Sequence, residues 1–536
     1  MPLRLSGTFG ELRGNHFHSG IDLKTHQKVG LPVRACAAGN IVRIKVSPYG
    51  FGKAIYIQHG NGFTTVYAHL EGFNEKIEAY VRKRQYEQET FDLNVYPEAG
   101  ILWVEKGDVI AQSGNTGGSG APHLHFEIRD TRTEKIINPL LFGFEVADSR
   151  APDLHNVEVY QFEDDELVSS YTQKVLQQKD GSYSLTGNNL VEVQHAPAFG
   201  ITTYDRLDGA PNRNGVYCIE MRINGELYYS FKMNTFSFYE TRYINSHIDY
   251  SQKYCCRRNI NKLYLEPNNQ FSVYGVNRKM NLPELAPDST YQVEIQVSDV
   301  AGNQSDLNFN LKYLPDTLLT AAPNNPPASV FRYGQPNFFK EENIQLKLPE
   351  GALYRDVYFE YKKLEPCAEC YSFVHQLAAP SIPVQKYYPL RIKPNEPFKG
   401  DKSKLAIASL KDGRIDEYEG GEWDDGYITT RTRQFGQFAV VADTIPPSIQ
   451  PIGFRDGGNL ADQLQVSFKI EDNFSGIDRY RPTIDGKWVL FEYDAKNDLI
   501  FANLKDLSLE PGEHVLKLEV MDKVGNVTKK NYHLIF

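Results

Sequence analysis

His123-Leu124-His125-Phe126-Glu127-Ile128 decides how the first quarter of the chain is read. The stretch reads as a strand, and alternate side chains of a strand share a face. His123 and His125 then point one way, while Leu124 and Phe126 point into a core. Two imidazoles about 7 Å apart on one strand face can address a single small site. A Gly-rich turn, Ser113-Gly114-Asn115-Thr116-Gly117-Gly118-Ser119-Gly120, precedes the strand. Further upstream lie Val66-Tyr67-Ala68-His69-Leu70 and His18-Ser19-Gly20-Ile21-Asp22. His18 and Asp22 flank Gly20, and a segment turning around it can bring both inward. Two histidine nitrogens and one carboxylate oxygen leave a tetrahedral zinc with an open position, which is the mark of a catalytic site. Alone, an HxH is more often a packed or surface pair, and an HxxxD is close to noise. The order of the pieces, with the Gly-rich turn abutting HxH, carries the signal.

The surroundings fit. Seven of the 13 histidines precede residue 130, so metal chemistry is expected in the N-terminal segment. Ile41-Val42-Arg43-Ile44-Lys45-Val46, Ala54-Ile55-Tyr56-Ile57 and Thr64-Thr65-Val66-Tyr67 are β-prone runs punctuated by Gly50, Gly52, Gly60 and Gly62. Residues 73–96 differ. Phe73, Ile77, Tyr80 and Val81 are spaced as one face of a helix, with Asn74 as N-cap.

These pieces resemble the lysostaphin-type (LytM-like) zinc metalloendopeptidases, which cut peptidoglycan cross-links. The likeness covers roughly residues 6–145. It includes Phe9-Gly10 and Arg13, the Ile57-Gln58-His59-Gly60-Asn61-Gly62 turn, and Lys106-Gly107-Asp108-Val109-Ile110. The resemblance implies one zinc ion held by His18, Asp22 and His125. It also implies that His69 and His123 are catalytic histidines that do not bind the metal. Zinc lowers the pKa of bound water toward ~7, and a nearby histidine can share the oxyanion charge. His69 and His123 would orient the water and move its proton. The 73–96 insertion departs from the family; it either rims the substrate groove or decorates a distant surface. Asn15 or His16 as an extra, latency-type ligand is a lesser reading, and His26 and His59 read as structural.

The rest of the chain reads as β modules. Ala147-Asp148-Ser149-Arg150-Ala151-Pro152 resembles Ala442-Asp443-Thr444-Ile445-Pro446-Pro447. Each opens a segment that nears its end with a similar hairpin, through Asp299-Val300-Ala301-Gly302-Asn303 and Asp522-Lys523-Val524-Gly525-Asn526. The fold class expected is mainly β. An antiparallel metallopeptidase domain over 1–147 carries the helical insertion. Three β-sandwiches of immunoglobulin-like type follow over 148–314, 328–442 and 443–536, with a Pro- and Asn-rich linker at 315–327. The clusters Tyr228-Tyr229 and Phe236-Ser237-Phe238-Tyr239 read as core packing in preference to sugar stacking.

The 536-residue chain has a formal net charge of −10 and no block of basic residues, a poor basis for nucleic-acid binding. It has no apolar run of membrane-spanning length. Of six cysteines, Cys367 and Cys370 form a lone CxxC, which reads as a disulfide or idle thiols because a zinc site would need two further ligands. Peptidoglycan peptide stems or bridges are the expected partner, with wall, glycan or protein contacts through the β modules. Export to the periplasm or cell envelope is expected, with a signal sequence upstream of Met1. Two other functions are compatible with parts of this pattern. One is a catalytically silent activator of other wall hydrolases, which predicts missing ligands. The other is a zinc protease of Gly-rich proteins, or a carboxypeptidase.

Overall fold

The computed structural model describes residues 3–163, 166–278, 285–314, 329–395, 398–460, 463–507 and 509–536. The expected linker at 315–327 lies outside them. The structure is mainly β. Among the described residues, no helix is long and apolar enough to cross a membrane.

The N-terminal sheet runs in the order Leu5–Gly7, Ile21–Lys24, His123–Asp130, Phe63–Phe73, Lys53–Gln58, Gly39–Val46 and Leu93–Val95. His123–Asp130 lies antiparallel between Ile21–Lys24 and Phe63–Phe73. The register sets His125 opposite Asp22 on one side and Ala68 on the other. Ile21, Ile44, Ile55, Tyr67, Leu70 and Ile128 fill the core beneath the sheet, each contributing about 1.5–3 kcal/mol by burial. The insertion forms the helix Glu75–Gln88. Asn74 caps it, its Oδ1 accepting from Ile77 N at 2.9 Å, and Ile77, Val81 and Gln85 face inward. The chain then adds Leu93–Val95 to the sheet edge remote from Ile21–Lys24.

The second module has two sheets joined through one shared strand, eleven strands in all. The strand Glu166–Gln177 pairs with Asp153–Glu163 along its first part and with Tyr183–Leu185 at its end, so one long strand carries the sheet around a corner. Phe199 and Phe309, from distant strands, meet edge to face with centroids 5.4 Å apart. A helical excursion, Phe238–Tyr243, Ile244–His247 and Tyr250–Cys256, was not read from the sequence. Tyr229 and Phe236 are core residues, whereas Tyr239 is 78% exposed. The module also shares its core with the first domain: Phe9, Phe17 and Ile136 pack in the same cluster as Phe199 and Phe236. Ile136–Ile137 pairs with Thr235–Phe236 across the junction.

The third module has two five-stranded sheets around Phe359, Tyr388 and Phe438, with Cys367 and Cys370 disulfide-bonded. The last has a four-stranded and a five-stranded sheet around Phe468, Phe491 and Leu516. This last module returns to the first domain. Lys53 pairs with Glu492 at 2.8 Å and Arg82 with Asp506 at 2.8 Å. The rings of Tyr86 and Trp488 meet edge to face at 5.1 Å. The inserted helix therefore serves as a dock for the C-terminal module.

Candidate metal centre

Four histidines and one aspartate converge above the strand His123–Asp130. His18 Nε2 and His125 Nδ1 each lie 3.0 Å from Asp22 Oδ1 and 3.1 Å from one another. His123 Nε2 lies 3.3 Å from the same Asp22 oxygen. The ring of His69 stands 4.8 Å from that of His123 and 5.8 Å from that of His125. All five positions singled out in the sequence are thus brought together.

Local structure explains the convergence. His18 is held by backbone bonds to the Gly10–Glu11 turn. Gly20 serves close approach: a Cβ there would stand 2.2 Å from the carbonyl oxygen of Phe126. The segment lies flat on the neighbouring strand, and this brings His18 and Asp22 over His125. His69 sits at φ +59°, a conformation uncommon for a non-glycine residue and typical of strained functional positions. It interrupts the register of Phe63–Phe73 and faces its ring toward His123. The Gly-rich turn packs on the 49–52 turn, where Gly117 (φ +71°) leaves no room for a Cβ beside Gly52.

The outer nitrogen of every histidine is committed. His18 Nδ1 donates to Thr8 O at 2.7 Å, His69 Nδ1 to Thr116 O at 2.9 Å, and His123 Nδ1 to Ala121 O at 2.8 Å. His125 Nε2 donates to Glu127 Oε1 at 3.1 Å. Acceptors at these outer positions hold the proton there, so each neutral ring turns a lone pair toward the centre. Three lone pairs, on His18 Nε2, Asp22 Oδ1 and His125 Nδ1, then meet at hydrogen-bond distance. A metal ion between them, or a proton on one of the ring nitrogens, relieves that crowding. The three residues form a group able to hold a metal ion. Tetrahedral ligands about 2.0–2.1 Å from zinc stand roughly 3.3 Å apart, close to the spacing found. His16 does not belong to this group.

The buried carboxylates of Asp22 and Glu127 make the centre favour positive charge, whether a proton or a metal ion. Burial would lower His125, but the carboxylates of Asp22 and Glu127 outweigh it and hold the ring up at about 9. Burial would raise Asp22, yet donors from His123, His125 and His18 hold it far below the carboxylate range. His69 is pushed down to about 3 by burial and by His125 and His123, so it stays neutral.

Glu127, Arg129 and Lys496 support the centre without being singled out in the sequence, whereas Arg13 is singled out there. Glu127 is fully buried and bonds Arg129 as well as His125. Both follow the alternation of His123 and His125, so the period that marked the HxH also marked its support. Arg13 Nη2 holds the second oxygen of Asp22 at 2.9 Å. Lys496 donates from Nζ to the carbonyls of Asn115 and Ser119, on a loop that orients His69 and His123; nothing local marked it. His59, read as structural, bridges Ala38 O and Thr65 Oγ1 at 2.8 Å each, and His26 is exposed.

The model of peptidase family M23 matches residues 16–86, which include His18, Asp22 and His69. The N-terminal domain is an M23 metallopeptidase domain. A second model, of a Zu5-like domain, matches residues 328–443. The M23 domain is similar to DD-carboxypeptidase/endopeptidase Mpg of Neisseria meningitidis serogroup B, 36% identical over 131 residues, which are 24% of this chain and 24% of that protein. It is also similar to lysostaphin of Staphylococcus simulans, 32% identical over 111 residues, covering 20% of this chain and 17% of that one. The solved catalytic domain of lysostaphin aligns at 26% identity with a TM-score of 0.20, covering 26% of this chain and 91% of that one. The chain spans about a quarter or less of the length of these curated relatives.

Proposed function

We propose that the chain is a zinc-dependent endopeptidase that hydrolyses peptide cross-links of bacterial peptidoglycan in the cell envelope. The convergence of three lone pairs from His18, Asp22 and His125 supports this most strongly. Two relatives name the chemistry: one is a DD-carboxypeptidase/endopeptidase and another, from Staphylococcus capitis, a glycyl-glycine endopeptidase. His18, Asp22 and His125 hold the zinc ion. Bound there, zinc supplies a Lewis acid for the peptide carbonyl and lowers the pKa of water toward ~7. His69 and His123 are the catalytic histidines. Each keeps its Nδ1 proton on a backbone carbonyl; His69 Nε2 is free to take a proton from the attacking water or pass one to the leaving amine, and His123 Nε2 faces Asp22 Oδ1 at the same centre. Burial keeps His69 in its neutral, basic form. The protein acts outside the cytoplasmic membrane, where its substrate lies, and the β modules position the M23 domain.

Digestion of purified peptidoglycan, with mass spectrometry of the fragments and zinc analysis of the enzyme, tests this. Wild type should carry one zinc and release fragments with new peptide termini, while His125→Ala should lose both properties. Undiminished cleavage by metal-free protein would overturn the reading.

A further inference from the structure

The internal repeat gathers three aspartates in each copy. In the second module these are Asp148, Asp205 and Asp299; in the last they are Asp443, Asp472 and Asp522. In each set, one oxygen per residue lies within 4.8 Å of the others. The hairpin aspartate is held alike in both. Asp299 Oδ1 accepts from the backbone N–H of Gly302 and Asn303, and Asp522 Oδ1 from those of Val524 and Asn526. Asn303 and Asn526 then reach the carbonyls of Asp148 and Asp443.

The first set carries a second feature. Asp205 is only 3% exposed, and its Oδ1 has no hydrogen-bond partner. Among the described residues, none of Asp148, Asp205 and Asp299 forms an ion pair with a lysine or arginine. Burial and the charge of Asp148 push Asp205 up to about 7, and burial with Asp299 pushes Asp148 up to about 6. An uncompensated buried carboxylate is costly unless paired or ligated to a metal. The three side chains line a cavity of about 110 Å³ at the junction with the M23 domain, together with Thr8 and Asn138. That volume accommodates an ion with waters.

We propose that Asp148, Asp205 and Asp299 bind a calcium ion that braces the junction between the M23 domain and the second module. The donors are all oxygens, which suits a hard cation and not zinc. Calcium takes oxygens at 2.3–2.6 Å, so two ligands on one ion stand at most about 5 Å apart, as these do. Thr8, whose carbonyl orients His18, lines the same cavity. Calcium there stiffens the support of the metal centre without touching it.

The test uses zinc-loaded full chain equilibrated with millimolar calcium, followed by metal analysis and thermal melts. Wild type should take up calcium and melt higher with it. Asp205→Asn should keep its zinc, bind one calcium equivalent fewer and show a smaller rise. If that variant does not fold, Asp148→Asn, at a less buried position, should show the same loss. Equal calcium uptake by wild type and variant, no uptake by wild type, or uptake of magnesium in its place would overturn the proposal.

Discussion

The ring of Phe17 stacks on that of Phe271, centroids 4.7 Å apart and planes 20° apart. Phe17 is the residue before His18, and its backbone N–H donates to Thr241 Oγ1 at 2.8 Å. The segment that brings the first histidine to the centre is therefore anchored in the core of the second module. Phe271→Ala should cost about 3–5 kcal/mol of stability, as emptied aromatic sites do. It should also weaken zinc retention although no ligand changes. Chelator competition on folded protein, well below the melting temperature, checks this; unchanged affinity would confine Phe271 to packing.

Glu127 holds the outer nitrogen of His125 and is itself held by Arg129. Groups that orient a metal-ligating histidine typically matter 10–100-fold in metal affinity. Glu127→Gln should weaken zinc binding by about that factor, measured by competition with a chelator of known affinity.

Lys496 ties the Gly-rich turn to the C-terminal module through two backbone carbonyls. Thr116 on that turn orients His69, and Ser119 Oγ lies 3.2 Å from His123 Nδ1. Lys496→Ala should retain zinc and lower kcat/KM about fivefold, the equivalent of ~1 kcal/mol for a mostly exposed charged hydrogen bond. Kinetics on a defined cross-linked peptide, paired with zinc analysis, separate loop placement from metal loss.

His247 packs 5.5 Å from Phe17 and bonds Tyr274 and Asn261. Burial, against a smaller opposing effect of the Asn261 bond, lowers it to about 4, and Lys262 adds to the lowering. The unfolded state then binds more protons than the folded state between pH 6.5 and about 4. Stability from neutral His247 is present above 6.5 and lost as pH falls through that window, by roughly 3 kcal/mol. His247→Gln should be less stable at pH 7 but lose correspondingly less on acidification. Denaturant titrations at pH 7, 5.5 and 4 compare the two proteins.

The strand His123–Asp130 was legible because alternation is a local property: His123 and His125 share a face wherever the strand packs. Asn74 and the apolar spacing behind it marked the helix for the same reason, since a cap and a stripe lie within a few turns. The Asp299–Asn303 and Asp522–Asn526 hairpins repeat visibly because a tight turn demands the same few residues each time. Glu127 and Arg129 obey the same alternation, which puts them on the face of His123 and His125.

The second module's corner was not legible, because whether Glu166–Gln177 ends one sheet or continues into another depends on strands far along the chain. The sequence by itself determined the donors and their order, the β class and the inserted helix. Tertiary structure alone decided that Phe9, Phe17 and Ile136 join the second module's core. It also decided that the inserted helix docks the last module, and that Lys496 reaches back to a loop near residue 115. Propensity, spacing and alternation act over a few residues. A shared core or a docked interface needs complementary surfaces from segments hundreds of residues apart, and no local pattern records which surfaces meet.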